Sequence, residues 1–359
     1  MRILIPILGF GNAGGYKVLS LLANELIDLG HDVEFLSTDA SKSPYYKTFA
    51  KIYWANEKGG RNTSNMPRYE GFISTQIKLI KSLNKINKDE YDIILANHSL
   101  TVLPLILTGW KNKAVYYIQA YEPEMYKIMG GLKNKILALI SKWTYSQNLF
   151  SVVNASIYCN YKNIKSTRIL YPGIDFNYFY PKTNSDKKEN IIIGTIGRSE
   201  KYKGTEYIIN AIVEIKKKYS NVNFFVAFGD PKDFEDYDWI RCFNPNGYQE
   251  LGDFYRSLDY YFCAGYIQLG AFHYPVAEAM SCGVPIITTQ YYPANDKNSF
   301  LVRIKNVKDF VDQFEIVINH PETVMNIKEQ AKLDVEQFNW KIVGEKMNAY
   351  LNEFKSKKI

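Results

Sequence analysis

The sequence has few of the residues from which metal centres and disulfide frameworks are built. Only four cysteines and four histidines occur among its 359 residues. The cysteines show no Cys-x-x-Cys spacing and no neighbouring histidine pairs; they are Cys159, Cys242, Cys263 and Cys282. A zinc site or a disulfide-stapled domain would need such spacing, so neither is expected. A reducing cytoplasm fits this use of cysteine.

Long hydrophobic runs are also missing. The N-terminal stretch MRILIPILGFGNAGG holds one basic residue and a short apolar run that ends in glycine-rich sequence. A signal peptide or a membrane span needs a longer apolar run, so we interpret this stretch as a buried first strand. The composition, 46% hydrophobic and 23% charged, is that of a folded soluble protein, and the length favours two domains.

Charge is distributed unevenly along the chain. Residues 1–180 contain 21 Lys and Arg against 13 Asp and Glu, a net charge of +8, whereas the whole chain carries +7. This excess favours an anionic partner such as a membrane surface or a phosphorylated acceptor. The alternative is that lysine is simply common on this surface. Nucleic acid is not an expected partner, because no recognition motif and no interleaved aromatic platform accompanies the charge.

Apolar runs alternate with helix-period segments, which is the pattern of parallel strands joined by crossover helices. In the first half the predicted strands are 3–8, 33–36, 93–96 and 114–118, and the predicted helices are 18–29, 72–86 and 132–149. In the second half the predicted strands are 191–196, 222–228, 260–263 and 284–288, and the predicted helices are 207–218, 251–258 and 340–354. Two α/β series of similar length result.

The two series are separated by Pro-containing and polar sequence. The chain passes Tyr171-Pro172-Gly173 and Pro181 and then enters a polar stretch that ends at Asn190. We therefore predict a first domain over 1–172, a linker over 173–190 and a second domain over 191–339.

Two glycine-containing turns follow predicted strands. The first is GNAGG at 11–15, where glycines without a Cβ let a phosphate approach backbone N–H groups at a helix N-terminus. Its alternative role is tight packing alone. The second is GRSEKYKG at 197–204, whose Arg198 and Lys203 could neutralise a diphosphate or form a solvated basic turn.

The most specific stretch is GAFHYPVAEAMSCGVP at 270–285. With the two glycine turns and YPGID at 171–175, it resembles the retaining glycosyltransferase family 4 over nearly the whole chain. The resemblance implies the GT-B fold, an α/β arrangement of two Rossmann-like domains facing a central cleft. The first domain would hold the acceptor and the second the nucleotide sugar, with helix 340–359 packing back onto the first.

The resemblance also implies roles for particular residues. Gly14 and Gly15 would face the donor phosphate, and Arg198 and Lys203 would bind the donor pyrophosphate. Glu278 would accept hydrogen bonds from the ribose hydroxyls, with its side chain facing the solvated cleft, because a carboxylate offers acceptors only. His273 and Tyr274 would complete the donor site.

The chain departs from the family pattern at two positions. Gly270 stands where the family usually has a glutamate that contacts the donor sugar, which puts the usual hexose donor or the activity itself in question. Gln119 replaces a histidine that contacts the donor sugar in many relatives. The surrounding run, IQAYEPE at 118–124, is similar to polysaccharide rhamnosyltransferases, which favours a deoxysugar donor. His273 is either a polar contact or a structural histidine.

Acceptor residues are expected where predicted strands of the first domain end. Asn97-His98-Ser99 and the Gln119–Glu124 segment both lie there, and ligands of open α/β sheets collect at such carboxyl ends. His98 and Glu122 are the acceptor candidates. Asp236-Tyr237-Asp238 has the form of a metal-binding D-x-D, but it lies among other acidic residues, so we interpret it as a solvated loop and expect no metal.

The predicted function is transfer of a sugar, with retention, to a glycan or lipid-linked acceptor in bacterial surface polysaccharide synthesis. Arg198, Lys203 and Gln119 would be catalytic, no dedicated base is needed, and no cofactor is expected beyond the nucleotide-sugar substrate. The alternatives are a sugar-nucleotide epimerase of the same fold and a catalytically silent subunit that binds nucleotide sugar. The expected location is cytoplasmic, with peripheral association at the inner face of the membrane.

Overall fold

The computed structural model describes residues 1–182, 189–197 and 200–357. The chain divides into two compact units. Unit 1 comprises Met1–Gly173 together with Trp340–Ile359, and unit 2 comprises Ile174–Asn339. Each unit is built around its own largely parallel sheet, so the prediction of two α/β halves is confirmed.

The sheet of unit 1 is almost entirely parallel. Its strands are β1 Arg2–Pro6, β2 Asp32–Thr38, β3 Lys51–Ala55, β4 Arg61–Asn62, β5 Ile93–Ala96, β6 Ala114–Ile118 and β7 Phe150–Val153. Their order is β4-β3-β2-β1-β5-β6-β7, and only the short edge strand β4 runs antiparallel. In the central register, Ile3 lies opposite Val33 on one side and Ile93 on the other. The strand order reverses between β1 and β5, and open α/β sheets usually bind ligands at the carboxyl ends of the strands at such a point.

Five helices of unit 1 connect these strands. They are α1 Gly14–Asp28, α2 Phe72–Lys85, α3 Ser99–Leu107, α4 Glu122–Met129 and α5 Gly131–Tyr145. Helix α1 buries Val18, Leu19, Leu22 and Leu26, which recur at helical spacing. The helix stops at Gly30, whose φ of +85° is the left-handed conformation that glycine adopts easily after a helix.

The predicted helix 132–149 is too long at its C-terminus. Helix α5 ends at Tyr145, Asn148 takes a left-handed φ of +51°, and β7 begins at Phe150. Asparagine is one of the few residues that tolerates this conformation, so the turn can form without glycine.

The sheet of unit 2 is parallel throughout the described pairs. Its strands are β8 Ile191–Ile196, β9 Val222–Ala227, β10 Ile240–Phe243, β11 Tyr260–Cys263, β12 Ile286–Thr288 and β13 Phe300–Leu301, in the order β10-β9-β8-β11-β12-β13. The helices are α6 Thr205–Lys218, α7 Gly247–Ser257, α8 Tyr274–Ser281, α9 Val307–Asn319 and α10 Pro321–Val335. Helices α6 and α9 pack together, and the buried rings of Phe310 and Phe314 on α9 contact that of Phe262 on β11.

The last helix, α11 Trp340–Ser356, belongs to unit 1 and packs against α1. Close packing requires a glycine there, because a Cβ on Gly344 would lie 2.6 Å from the side chain of Glu25. Arg168 anchors the other end of α11 through two hydrogen bonds to the carboxylate of Glu353.

The predicted linker differs from the structure at its start. Ile174 and Phe179 are fully buried in unit 2, so this part of the chain belongs to the core of that unit and is not a connecting segment. The cause is local pairing: Ile174 bridges to Asn339, and the Phe179 ring contacts those of Tyr248 and Tyr255. Residues 183–188 of the predicted linker lie outside the described residues.

Candidate functional site

The described candidate residues of unit 2 lie in the turn at 200–204 and at the start and first turns of α8. Gly204 has a φ of +72° and caps α6, and a Cβ at this position would lie 2.2 Å from the carbonyl oxygen of Ala264. The turn at 200–204 is therefore pressed against the chain that leaves β11. The backbone N–H of Tyr266 also donates to the Tyr202 carbonyl, at 3.1 Å. This packing fixes the backbone of Lys203.

The turn that holds Lys203 and the side chain of His273 both lie at the end of β11. Burial raises the pKa of the Cys263 thiol, and the positive charge of Lys203 opposes that increase. On the other side, Nδ1 of His273 lies 3.9 Å from the Cys263 sulfur. The structure thus brings two predicted donor residues to the end of β11. Arg198, the predicted partner of Lys203, lies outside the described residues.

The His273 side chain is packed rather than free in solvent. Its ring stacks on that of Tyr291, with 4.7 Å between centroids. Its backbone N–H donates to Tyr292, and its carbonyl accepts from Ala277 inside α8. His273 therefore fixes the start of α8, with its ring held between Tyr291 and Cys263. Tyr274 begins the helix, and its ring contacts that of Phe272 at 5.3 Å.

Gly270 occupies a backbone conformation that disfavours any side chain. Its φ is +86°, and its N–H donates to the carbonyl of Gln290 at 2.7 Å. A glutamate here would carry the strain of a left-handed residue. The departure from the family pattern at 270 therefore has a conformational cause in this chain.

Glu278 lies one turn into α8 and is buried, with 4% of its surface exposed. The hydroxyl of Tyr255 on α7 donates to its Oε2 at 3.2 Å. Burial raises the pKa of Tyr255, and the neighbouring Glu278 charge raises it further. The expectation that this carboxylate faces solvent is wrong, because α7 packs against α8 and brings Tyr255 over it.

A cavity of about 310 Å³ lies at the carboxyl ends of β8 and β9. It is lined by Gly197, Glu200, Thr205, Phe228, Gly229, Asp230, Asp233 and Phe234. Phe228 is 45% exposed and has a left-handed φ of +61°, and its N–H donates to Phe243 at 2.7 Å. The sequence analysis did not identify this cavity. The signal for it was the Gly229-Asp230-Pro231 turn directly after a predicted strand.

No described cluster of three or more His, Cys, Asp or Glu side chains is arranged to hold a metal ion. Asp236 and Asp238 lie exposed between Phe234 and β10. The described part of the chain also contains no helix that is both long and apolar enough to cross a bilayer.

In unit 1, Gln119 lies beside the N-terminus of α1. A Cβ on Gly15 would be 3.5 Å from Oε1 of Gln119, so the amide lies directly over the first turn. That oxygen is buried and has no hydrogen-bond partner among the described residues. Gly14 and Gly15 are exposed, and they present the first backbone N–H groups of the helix. The structure therefore brings Gln119 and the glycine turn together.

His98 and Glu122 also lie close together, at the ends of β5 and β6. His98 caps α3: its Nδ1 accepts from the N–H of Leu100 at 3.0 Å. The proton of the neutral ring is therefore on Nε2, which lies 3.8 Å from Oε1 of Glu122. Glu122 is buried and also accepts a hydrogen bond from the N–H of Ser99, at 3.3 Å.

Tyr145, which the sequence analysis did not identify, positions Glu122. Its hydroxyl contacts the Glu122 carboxylate and the Ala120 carbonyl, and its ring stacks on Tyr116 at 5.5 Å. Burial raises the pKa of Tyr145 far above its ordinary value, and the Glu122 charge adds to this, so the phenol remains a donor. The sequence held no local signal for this contact, since Tyr145 lies at the far end of α5.

Comparison with known proteins identifies relatives that match most of the chain. Residues 190–320 match the family model described as glycosyl transferases group 1. An uncharacterized glycosyltransferase of Haemophilus influenzae is 23% identical, covering 92% of this chain and 94% of that protein. Another, of Methanocaldococcus jannaschii, is 24% identical over 84% of this chain and 86% of that protein.

Solved structures share the complete two-unit architecture. Sucrose-phosphate synthase of Thermosynechococcus elongatus superposes with a TM-score of 0.78 at 15% identity, covering 99% of both chains. HepE of Anabaena, solved with UDP and glucose, gives a TM-score of 0.72 at 14% identity, covering 98% of this chain and all of that one. The chain has the two-domain fold of the GT-B glycosyltransferases, and its relatives support a glycosyltransferase function.

Proposed function

We propose that the protein transfers a sugar from a nucleoside-diphosphate sugar to the hydroxyl group of an acceptor, as a retaining enzyme of glycosyltransferase family 4. The observation that carries this proposal is that the turn of Lys203 and the start of α8 are both packed against the chain at the end of β11, within the segment that matches the glycosyltransferase model. A cation beside a helix N-terminus suits an anionic diphosphate.

Donor binding is assigned mainly to unit 2. Lys203 and Arg198 would hold the pyrophosphate, and the cavity beside Phe228 offers an exposed aromatic ring and glycine backbone to a planar base. Glu278 would accept from the ribose hydroxyls, with the Tyr255 hydroxyl sharing the carboxylate. Binding then requires the ribose to compete for a carboxylate that already has one donor.

Several further groups would complete the donor site. His273 and Tyr274 lie at the start of α8, where the His273 ring stacks on Tyr291. Unit 1 by itself offers the N–H groups of Gly14 and Gly15 for a phosphate, and for a sugar hydroxyl the Gln119 oxygen, which has no hydrogen-bond partner among the described residues. An amide oxygen accepts a hydrogen bond from a sugar hydroxyl without titrating, which a histidine at this position would do.

Chemistry at this site depends on positioning and charge. Lys203 and Arg198 would stabilise negative charge on the departing diphosphate, while the acceptor hydroxyl attacks the anomeric carbon from the same face. The proton of that hydroxyl would pass to a phosphate oxygen of the leaving group. No side-chain base is required, and the fixed tautomer of His98 agrees with that assignment because its Nδ1 is already occupied.

The acceptor is proposed to bind unit 1. The Nε2–H of His98 and the adjacent Glu122 carboxylate, which is held by Tyr145 and Ser99, would together contact the hydroxyl groups of the acceptor. The acceptor would be a glycan or a lipid-linked saccharide of bacterial surface polysaccharide, and the donor sugar a hexose or deoxyhexose such as rhamnose. The enzyme would work in the cytoplasm, peripherally at the inner face of the membrane.

A panel of UDP, GDP, ADP and dTDP sugars tests this function. The folded protein is first screened by thermal shift, because ligand at about 100 times its Kd adds roughly 2.7 kcal/mol to the stability of the native state. Donors that bind are then incubated with and without candidate acceptors. Acceptor-dependent release of nucleoside diphosphate supports transfer. A new nucleotide sugar formed without acceptor identifies an epimerase, and binding without turnover identifies a silent subunit.

A further inference from the structure

Helix α5 exposes an apolar face to solvent. Leu132, Ile136, Leu139 and Trp143 follow one another at intervals of three and four residues and are 76%, 50%, 67% and 43% exposed. At 1.5 Å per residue this face is about 17 Å long. Side chains at this spacing lie on one side of a helix, so they form one surface rather than scattered contacts.

Helix α4 extends the same kind of surface. Ile128 and Met129, its last two residues, are 49% and 68% exposed. Only the glycine pair at 130–131 separates them from Leu132, and both glycines have positive φ. We call these six side chains, on α4 and α5, the apolar face.

The surroundings of the apolar face are basic. Lys127, Lys133 and Lys135 are exposed and Lys142 is half-buried on the same two helices. The sequence contains no Asp or Glu between Glu124 and Asp175. A protein partner of mixed charge would be complemented by both acidic and basic side chains, and this stretch contains no acidic ones. A surface that is apolar at its centre and flanked by lysines complements an anionic bilayer, whose headgroups attract lysine and whose boundary region accepts Leu and Trp.

The opposite side of α5 is tied to the acceptor residues. Ser141 exchanges a hydrogen bond of 2.8 Å with Ser99, the first residue of α3. Tyr145 holds Glu122, as described above. One side of α5 therefore carries the apolar face, and the other side positions the proposed acceptor residues. Docking of α5 on a lipid surface would keep those residues near that surface.

We propose that the apolar face of α4 and α5 docks on the surface of an anionic bilayer, with Leu132, Ile136, Leu139 and Trp143 entering the headgroup boundary. Binding is peripheral and reversible. It combines apolar burial with attraction between the flanking lysines and anionic headgroups, so salt weakens it. The docking reaction requires no sugar donor and is measured independently of transfer.

Vesicle flotation tests the proposal directly. The full chain is mixed with phosphatidylglycerol/phosphatidylcholine vesicles or with pure phosphatidylcholine vesicles at low and high salt. We expect co-flotation with the anionic vesicles at low salt, and a partition coefficient at least about tenfold lower for neutral vesicles. The triple variant Leu132→Gln/Ile136→Gln/Leu139→Gln should lose at least about tenfold in binding to anionic vesicles. Lys133→Glu/Lys135→Glu should weaken binding to anionic vesicles only.

The matched control is Met325→Gln/Leu333→Gln on α10 of unit 2, where both side chains are similarly exposed, at 63% and 61%. It should bind like the wild type. Thermal unfolding of each variant verifies folding, and quenching of Trp143 by brominated lipid, absent in Trp143→Phe, gives a second readout. The proposal is overturned if the wild type does not float, if neutral vesicles bind it equally, or if the triple variant floats undiminished. It is also overturned if the apolar face instead forms a lipid-independent dimer that the triple variant abolishes.

Discussion

The hydroxyl of Tyr255 donates to the carboxylate of Glu278 across 3.2 Å, inside the packed contact between α7 and α8. This pair combines a residue of the most specific sequence motif with a tyrosine that lies 23 positions earlier. It makes the carboxylate a shared acceptor rather than an exposed charge.

Glu278→Gln should weaken binding of the preferred nucleoside diphosphate by roughly one to two orders of magnitude. Loss of a hydrogen bond to a charged group costs about 1.5–3 kcal/mol, and each 1.4 kcal/mol corresponds to about a tenfold change in Kd. The fold should survive because glutamine has the same size and still accepts from Tyr255. Isothermal titration measures the effect, with Tyr255→Phe as a companion that keeps the charge. Unchanged affinity in Glu278→Gln would remove this residue from the site.

Lys203→Met should lower kcat/KM by about a hundredfold or more, because removing a group that stabilises charge on the departing diphosphate costs about 3 kcal/mol in comparable sites. Lys201→Met is the matched control, since Lys201 is an exposed lysine in the same short turn. Steady-state release of nucleoside diphosphate compares the two. Equal losses in both variants would indicate a general charge effect and contradict the specific role.

His273→Phe should keep the stability and change the choice of donor sugar. A phenyl ring can retain the stacking on Tyr291 while it loses both ring nitrogens. Gln119→Ala should act similarly, because it removes the unpaired buried oxygen beside Gly15. Turnover is measured with each accepted donor. Wild-type kinetics for both variants with all donors would show that neither side chain contacts the sugar.

Gly204→Ala and Gly247→Ala separate close packing from backbone strain. Both glycines have left-handed φ values, +72° and +82°, so each alanine carries a penalty of about 1–2 kcal/mol. Only at Gly204 does the new Cβ meet an atom, the Ala264 carbonyl oxygen at 2.2 Å, whereas Gly247 faces open space. Chemical denaturation should therefore show the larger decrease in the free energy of unfolding for Gly204→Ala, and only that variant should lose donor binding. Equal destabilisation would refute the packing argument.

A buried cluster of charged side chains in unit 1 makes the free energy of unfolding depend on pH. Lys78 contacts Asp39 at 2.8 Å and Glu70 at 2.5 Å, and its side chain is 3% exposed. Burial alone raises the pKa of Asp39, but hydrogen bonds and charge from Lys78 and Arg68 outweigh it and hold this pKa below its ordinary value. The pKa of Glu70 is lowered in the same way, against the effect of burial, by Lys78.

Because these folded-state pKa values are depressed, their contribution to the free energy of unfolding is complete above the unfolded pKa values, near pH 4–5, and is lost as the pH falls through the folded values. Lys78→Met should cost about 3–5 kcal/mol at neutral pH, since it removes the buried cation that both carboxylates contact, although Asp39 keeps its bond to Arg68. Urea denaturation between pH 3 and 7 measures both effects. Lys81→Met, at an exposed site on the same helix, should unfold like the wild type.

Much of the fold was predictable because each sheet is parallel and buried, so its strands appear as short apolar runs. The strands predicted at 93–96, 114–118, 191–196 and 260–263 have the bounds seen in the structure. Strands β4 and β13 were missed because two residues carry no periodicity. Helix α3 was missed because most of its side chains are buried, and a helix that is apolar on every side shows no stripe.

The site was predictable only where its residues follow one another closely in the chain. The glycine turns and the α8 motif are contiguous, so their positions at strand ends could be inferred. The contacts of Tyr255 with Glu278 and of Tyr145 with Glu122 join residues 23 positions apart through helix packing. The conformation of Gly270 was equally hidden, since a glycine in sequence does not reveal its φ.

Unit 1 is assembled from two pieces of chain with the whole of unit 2 between them. During synthesis, unit 2 is therefore complete before the helix that covers α1 has been made. Until Trp340 and the residues after it leave the ribosome, the outer surface of α1 has no partner and the Arg168 guanidinium lacks Glu353. Completion of the first-made unit thus becomes the last event of folding, and a chain terminated before residue 340 would expose that surface to chaperones and proteases.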